Sequence, residues 1–297
     1  MNLDVAKRDL LLAHNVLASS VMRFASQIGK PLYAEEDGHP RFQFLQKDAK
    51  TIELLMAVRI VSGLNASQTL LDCGFINEIG VLLRTIYDFL LTISFLEDGL
   101  NAPKQTEHFK RFVEQYFSER IRSWQDFLKQ QPYLPFRKKR AAEAREMAPA
   151  ADPARVTKML EAEEKCLSGY VHGHYGAVME LYRGATKPQG EGFLVKGVPE
   201  DCPHIVTWFG QIAMYTYRSL LLFIYVAKRL GLADVAQELW REARRFEKSE
   251  AYAVHCPGCG KEMSATEKVI KDEKTGEVKE RWTRYQCTNP RCCYRIG

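Results

Sequence analysis

The sequence predicts a mainly α protein: a multi-helix bundle over residues 1–250, followed by a small β domain over 251–297. Two observations predict it. Through the first 250 residues apolar side chains recur three and four positions apart, the spacing of one helix face. From residue 252 the pattern turns to alternation, and five of the eight cysteines crowd into the last 42 residues. A domain that short cannot fold on a hydrophobic core alone and needs a staple.

Helical periodicity marks segments near 3–28, 41–74, 76–98, 104–131, 154–182, 204–230 and 234–250. Gly99, Pro103, Pro132, Pro135, Pro149, Pro153 and the stretch KPQGEGFLVKGVPEDCP break them. Asp201 precedes an apolar run and is placed to cap the helix that follows. The patch FRKKRAAEAREM is basic at its start, the pattern of a solvated helix face or of a contact to a phosphate backbone.

Composition sets bounds. The 297 residues suffice for one large domain and a small one, and a formal charge of +5 permits nucleic-acid binding without requiring it. The N-terminus carries charges where a signal peptide would be apolar. No run of 18 uncharged apolar residues occurs, and the nearest, AMYTYRSLLLFIYV at 213–226, is interrupted by Arg218. The expectation is a cytoplasmic protein with no membrane partner. The oligomeric state is left open, a homodimer included.

In the last 42 residues, Cys256-x-x-Cys259 is followed after 27 residues by Cys287, and then by Cys292 and Cys293. Between them EKVIKDEKTGEVKERWTRYQC alternates around a Lys-Thr-Gly turn, a β-hairpin pattern. A knuckle, a hairpin and a second cysteine pair make the arrangement of a zinc ribbon. Two residues between cysteines let one turn aim both thiolates at one ion, and four thiolates at about 2.3 Å close a tetrahedral Zn²⁺ site with no open position. The expected ligands of this structural Zn²⁺ are Cys256, Cys259, Cys287 and Cys292. Cys293 stands as an alternative fourth ligand and His255 as a weaker one. Trp282, Arg284, Tyr285, Arg291 and Arg295 give the ribbon an aromatic and basic surface suited to RNA, to other nucleic acid or to a protein partner.

The helical part carries a polar anomaly. INEIGVLLRTIYDFLLTISFL, residues 76–96, is apolar almost all round. Ile79, Leu82, Leu83, Ile86, Leu90 and Ile93 cover one side, and Val81, Leu91 and Phe95 extend it, which predicts a central buried helix. Arg84 and Asp88 sit within it, four apart and so on one stripe with Asn77. A buried arginine must be paired, so an interior Arg84–Asp88 ion pair is expected. That pair is either a structural anchor or part of a pocket for a phosphate or substrate.

A second anomaly is SGYVHGHYG, residues 168–176. Gly169, Gly173 and Ala177 recur every four residues, which lets another backbone come close. His172 and His174 fall about 200° apart on a helix and cannot chelate one ion together. Walker, G-x-G-x-x-G, G-x-S-x-G and H-E-x-x-H motifs are absent from the sequence.

LLRTIYDFLLTISFL followed about 70 residues later by SGYVHGHYG resembles an uncharacterised all-α bacterial family with an Arg-x3-acidic helix and a later Tyr-Val-His-Gly motif. That family is distantly similar to the HEPN superfamily of helical bundles, which includes metal-independent ribonucleases and defence toxins. The resemblance spans roughly residues 50–230. Many HEPN ribonucleases carry a local Arg-x4–6-His motif; here the basic residue before His172 is Lys165, with six residues between. The resemblance implies His172 as general acid and base, Arg84 on the scissile phosphate from another helix, and Asp88 orienting Arg84. It implies a metal-independent ribonuclease of a stress or phage-defence system, delivered to RNA by its zinc ribbon. The alternative is a non-enzymatic helical scaffold whose ribbon binds nucleic acid or a protein partner.

Overall fold

The computed structural model describes residues 3–36, 39–118, 167–168, 170–171, 182–183, 192–193, 197–198, 203–249, 251, 263–271, 278–287 and 295–296. The protein is mainly α. Six helices pack together among these residues: α1 (Leu3–Ile28), α2 (Ala49–Asp72), α3 (Ile76–Asn101), α4 (Glu107–Ser118), α5 (Pro203–Arg229) and α6 (Ala233–Glu247). The helical period read from the sequence places α1, α3, α5 and α6 within a few residues.

The expected start of the second helix at residue 41 is corrected. β1 (Leu32–Glu36) and β2 (His39–Gln43) form an antiparallel hairpin there, with Glu35 opposite Pro40. Pro40 lacks the N–H that a helix interior requires. The helix begins only at Asp48, whose carboxylate accepts from the Thr51 backbone N–H at 2.9 Å.

Each helix contributes a stripe to one core. On α1 that stripe is Ala6, Leu10, Ala13, Leu17, Val21 and Phe24, spaced three and four apart. α5 is central and packs on α1, α2, α3 and α6. Its Phe209, Tyr215 and Phe223 are among the largest fully buried side chains. Phe95 of α3 meets Phe109 and Phe112 of α4 at 5.8 and 5.4 Å between ring centroids. α2 and α3 are long and apolar enough to cross a membrane by length and composition, which the residue count by itself did not show. Here they pack on each other and on α5, as central helices of a bundle do.

Two glycines end helices by the same device. After α2, Gly74 takes φ +76°, its N–H reaches Leu71 O at 3.0 Å and the Phe75 N–H reaches Leu70 O at 2.9 Å. After α5, Gly231 takes φ +75°, with bonds from Gly231 to Lys228 and from Leu232 to Ala227. A left-handed residue satisfies the last carbonyls and turns the chain, and glycine adopts it without a Cβ penalty.

Several hydroxyls buried in this core are spent on their own helices. Ser20, Ser67, Thr92, Thr216 and Ser219 each donate to the carbonyl four residues back. The Thr216 hydroxyl is thereby used as donor, so His14 Nε2, 3.0 Å from Thr216 Oγ1, must supply the proton of that contact. His14 is neutral: burial pushes its pKa down to about 4, against a hydrogen bond with Asn65 that raises it.

Short strands β3 (Tyr182–Arg183) and β4 (Gly192–Phe193) pair antiparallel: β4 lies inside the stretch read as loop, whereas β3 begins at Tyr182, the last residue of the segment read as helical. Toward the C-terminus β5 (Met263–Lys271) and β6 (Val278–Cys287) form the expected antiparallel hairpin, and β7 (Arg295–Ile296) adds to β6. Asp201, the FRKKRAAEAREM patch and the Lys-Thr-Gly turn lie outside the described residues.

Candidate functional site

α3 presents Arg84 on a face where another segment comes close. At Gly80, one turn earlier, a Cβ would stand 2.5 Å from Tyr170 Cγ, so the absence of a side chain is what admits the Tyr170 ring. That ring also packs on Trp208 of α5, 4.8 Å between centroids and nearly perpendicular. Ser168 and Tyr170 thus come against α3, and the glycine that admits the ring is Gly80; Gly169, Gly173 and Ala177, on which the expected close approach rested, lie outside the described residues.

Among the described residues Asp88, Ser168 and Tyr87 hold Arg84. Its Nη1 stands 2.5 Å from Asp88 Oδ1, its Nε donates to Ser168 Oγ at 3.4 Å, and its guanidinium carbon lies 5.5 Å from the Tyr87 ring centre. The expected interior ion pair needs one correction. The Arg84 side chain is 8 % exposed but that of Asp88 is 42 % exposed, so the pair straddles the surface. A helix stripe rotates only slowly against the bundle, and one further turn carries Asp88 out to water. Val81, read as extending the apolar surface, is exposed as well.

Asp88→Ala should then cost about 1–3 kcal/mol in urea-unfolding stability: the half-exposed carboxylate is partly screened, but its loss takes the counter-charge from a nearly enclosed Arg84 that keeps Ser168 and Tyr87. A loss of several kcal/mol would place the carboxylate in the interior after all.

His172 follows Ser168 by four residues and, with His174 and Lys165, lies outside the described residues. Of the expected zinc ligands, Cys287 closes β6 opposite Met263. Cys256, Cys259 and Cys292 lie outside the described residues, as do Cys293 and His255. Among the described residues no group of three or more His, Cys, Asp or Glu is arranged to hold a metal ion.

A second polar constellation was missed from sequence. Glu53 on α2, Glu97 on α3 and Arg229 at the end of α5 meet inside the bundle. Arg229 Nη2 pairs with Glu53 Oε2, and Arg229 Nε donates to Glu97 Oε1 at 2.8 Å. Their side chains are 12 %, 1 % and 7 % exposed for Arg229, Glu53 and Glu97. Glu53 was visible as a charge among TIELLMAV, on the stripe of Ala57, Ile60 and Leu64. Its partners, 44 and 176 positions away, were not (97 − 53 and 229 − 53).

The segment from α2 through α4 holds Arg84, Asp88, Glu53 and Glu97. Residues 50–158 match DUF5677, a family of unknown function. The DUF5677 segment includes the Arg-x3-acidic helix and ends before SGYVHGHYG, Arg229 and the cysteine cluster. No curated protein and no solved structure matches the chain.

Proposed function

We propose that the protein is a metal-independent ribonuclease of HEPN-like kind, acting in a stress or phage-defence role in the cytoplasm, with a zinc ribbon at 251–297 that holds RNA. The observation that carries the reading is Arg84. A guanidinium kept inside a helical bundle lies against Ser168, four residues before His172. In this reading His172 takes the proton of an RNA 2′-hydroxyl, whose oxygen attacks the adjacent phosphorus. Arg84 neutralises the phosphate as charge builds, and Asp88 orients Arg84. The 5′-oxygen leaves with a proton returned by the imidazole, giving a 2′,3′-cyclic phosphate and a 5′-hydroxyl. An imidazole suits both transfers because it titrates near neutral pH.

Incubating the purified protein with total RNA in excess chelator tests this. Cleavage by wild type and His174→Ala, and its loss in a folded His172→Ala, is the expected result. Intact RNA with the wild type would remove the enzyme reading. One observation favours a second reading, a non-enzymatic scaffold whose ribbon binds nucleic acid or protein. Arg84 is nearly enclosed and already engaged by Asp88, Ser168 and Tyr87, as a structural anchor would be.

The ribbon has its own test. Elemental analysis should find one zinc per chain, held by Cys256, Cys259, Cys287 and Cys292 or Cys293. Stripping the metal should unfold only the region after about residue 250. Protein purified without chelator and free of metal would contradict it.

A further inference from the structure

The trio of Glu53, Glu97 and Arg229 plays no part in the proposed chemistry. It gathers at one end of the bundle: Glu53 is the fifth residue of α2, Glu97 is four residues short of the end of α3, and Arg229 closes α5. With both carboxyls ionised, the site would hold two negative charges against one positive in a nearly water-free interior. One bound proton makes it neutral. The donors say where that proton belongs. Glu97 accepts from Arg229 Nε on one oxygen and from Asn101 Nδ2 at 3.4 Å on the other. Among the described residues Glu53 has Arg229 on Oε2 and no hydrogen-bond partner on its buried Oε1. A buried acceptor left unmatched is costly, whereas the same oxygen carrying a proton becomes a donor. Glu97, held by the same guanidinium, is the neighbouring carboxyl that can receive it.

We propose that Glu53 and Glu97 share one proton beneath Arg229, and that this proton latches α2, α3 and α5 together, so that losing it loosens that end of the bundle. The groups acting on Glu53 agree. Burial pushes its pKa up to about 8 against the pull of Arg229, with Glu97 and Asp48, the α2 cap, adding to the rise. α1 and α4 also pack on α2, and among the described residues neither sends an ion pair or hydrogen bond to Glu53. A raised carboxyl pKa contributes stability that is full below the unfolded value of about 4.3 and is lost as pH rises to the folded value.

Urea unfolding of the full chain between pH 5 and pH 9, followed by the helical signal, reads this out. The unfolding constant of the wild type should climb relative to that of Glu53→Gln by up to about tenfold per pH unit, and the two should run parallel above about pH 8. Glutamine keeps the shape and the donor but holds no titrating proton. Parallel curves over the whole range would overturn the latch. If Glu53→Gln fails to fold, isotope-edited infrared spectra of the wild type decide. A protonated carboxyl band at pH 7 that fades by pH 9 supports the latch, and its absence at pH 7 overturns it.

Discussion

Arg229→Met should destabilise the fold by about 3–5 kcal/mol at pH 7.5, because it strands two buried carboxyls with no cation. Arg229 joins three helices through Glu53 and Glu97, and none of the three side chains has much access to water that could compensate. The loss should shrink at pH 5. Burial keeps the Glu53 carboxyl well above its ordinary range, and without the guanidinium nothing pulls it back, so the variant regains stability as pH falls toward the unfolded value of about 4.3. Replacing all three by apolar residues of similar volume should cost less than the single change, since it removes the desolvated charges together. Urea-unfolding midpoints at the two pH values check both statements. An equal loss at pH 5 and pH 7.5 would mean that the carboxyls reach water in the variant.

Gly80→Leu should both destabilise the protein and remove any activity. Even a single Cβ at residue 80 would stand 2.5–2.9 Å from Tyr170 Cβ, Cγ and Cδ2, the stem of the side chain rather than its flexible tip. Tyr170 cannot move freely because its ring is also packed on Trp208. Overpacking of this kind costs about 1–3 kcal/mol. The displacement acts on the segment that places Ser168 on Arg84, so RNA cleavage should fall even under conditions where the variant stays folded. Cleavage at the wild-type rate by a folded Gly80→Leu protein would show that this segment's seating does not matter to the activity.

Periodicity made the helices legible because each buries one stripe. The Ala6–Phe24 series on α1 and the Ile76–Leu96 series on α3 are written in spacing alone. The α2 start was misread because β1 and β2 form too short a hairpin to leave a period, although Pro40 and Asp48 each carried a local signal. Arg84 with Asp88 was legible because both lie on one helix, four apart. Their unequal exposure was not, since it depends on how α3 is rotated against α5. The Glu53–Glu97–Arg229 trio was illegible for the same reason on a larger scale: three helices must fold before its members are neighbours. Tyr170 on Gly80 shows the limit from the other side. The contact there rests on a glycine of α3, which the glycine spacing of SGYVHGHYG does not indicate.

The central claim is that Arg84 and His172 form one RNA-cleaving site. The most direct measurement is a double-mutant cycle on metal-independent RNA cleavage with Arg84→Ala, His172→Ala and the double variant, all confirmed folded. Groups that act as a unit are strongly non-additive. The shared site predicts that each single change abolishes most of the activity and that the double variant is no slower than the slower single. Losses that simply multiply, or a wild type that leaves RNA intact, would contradict it.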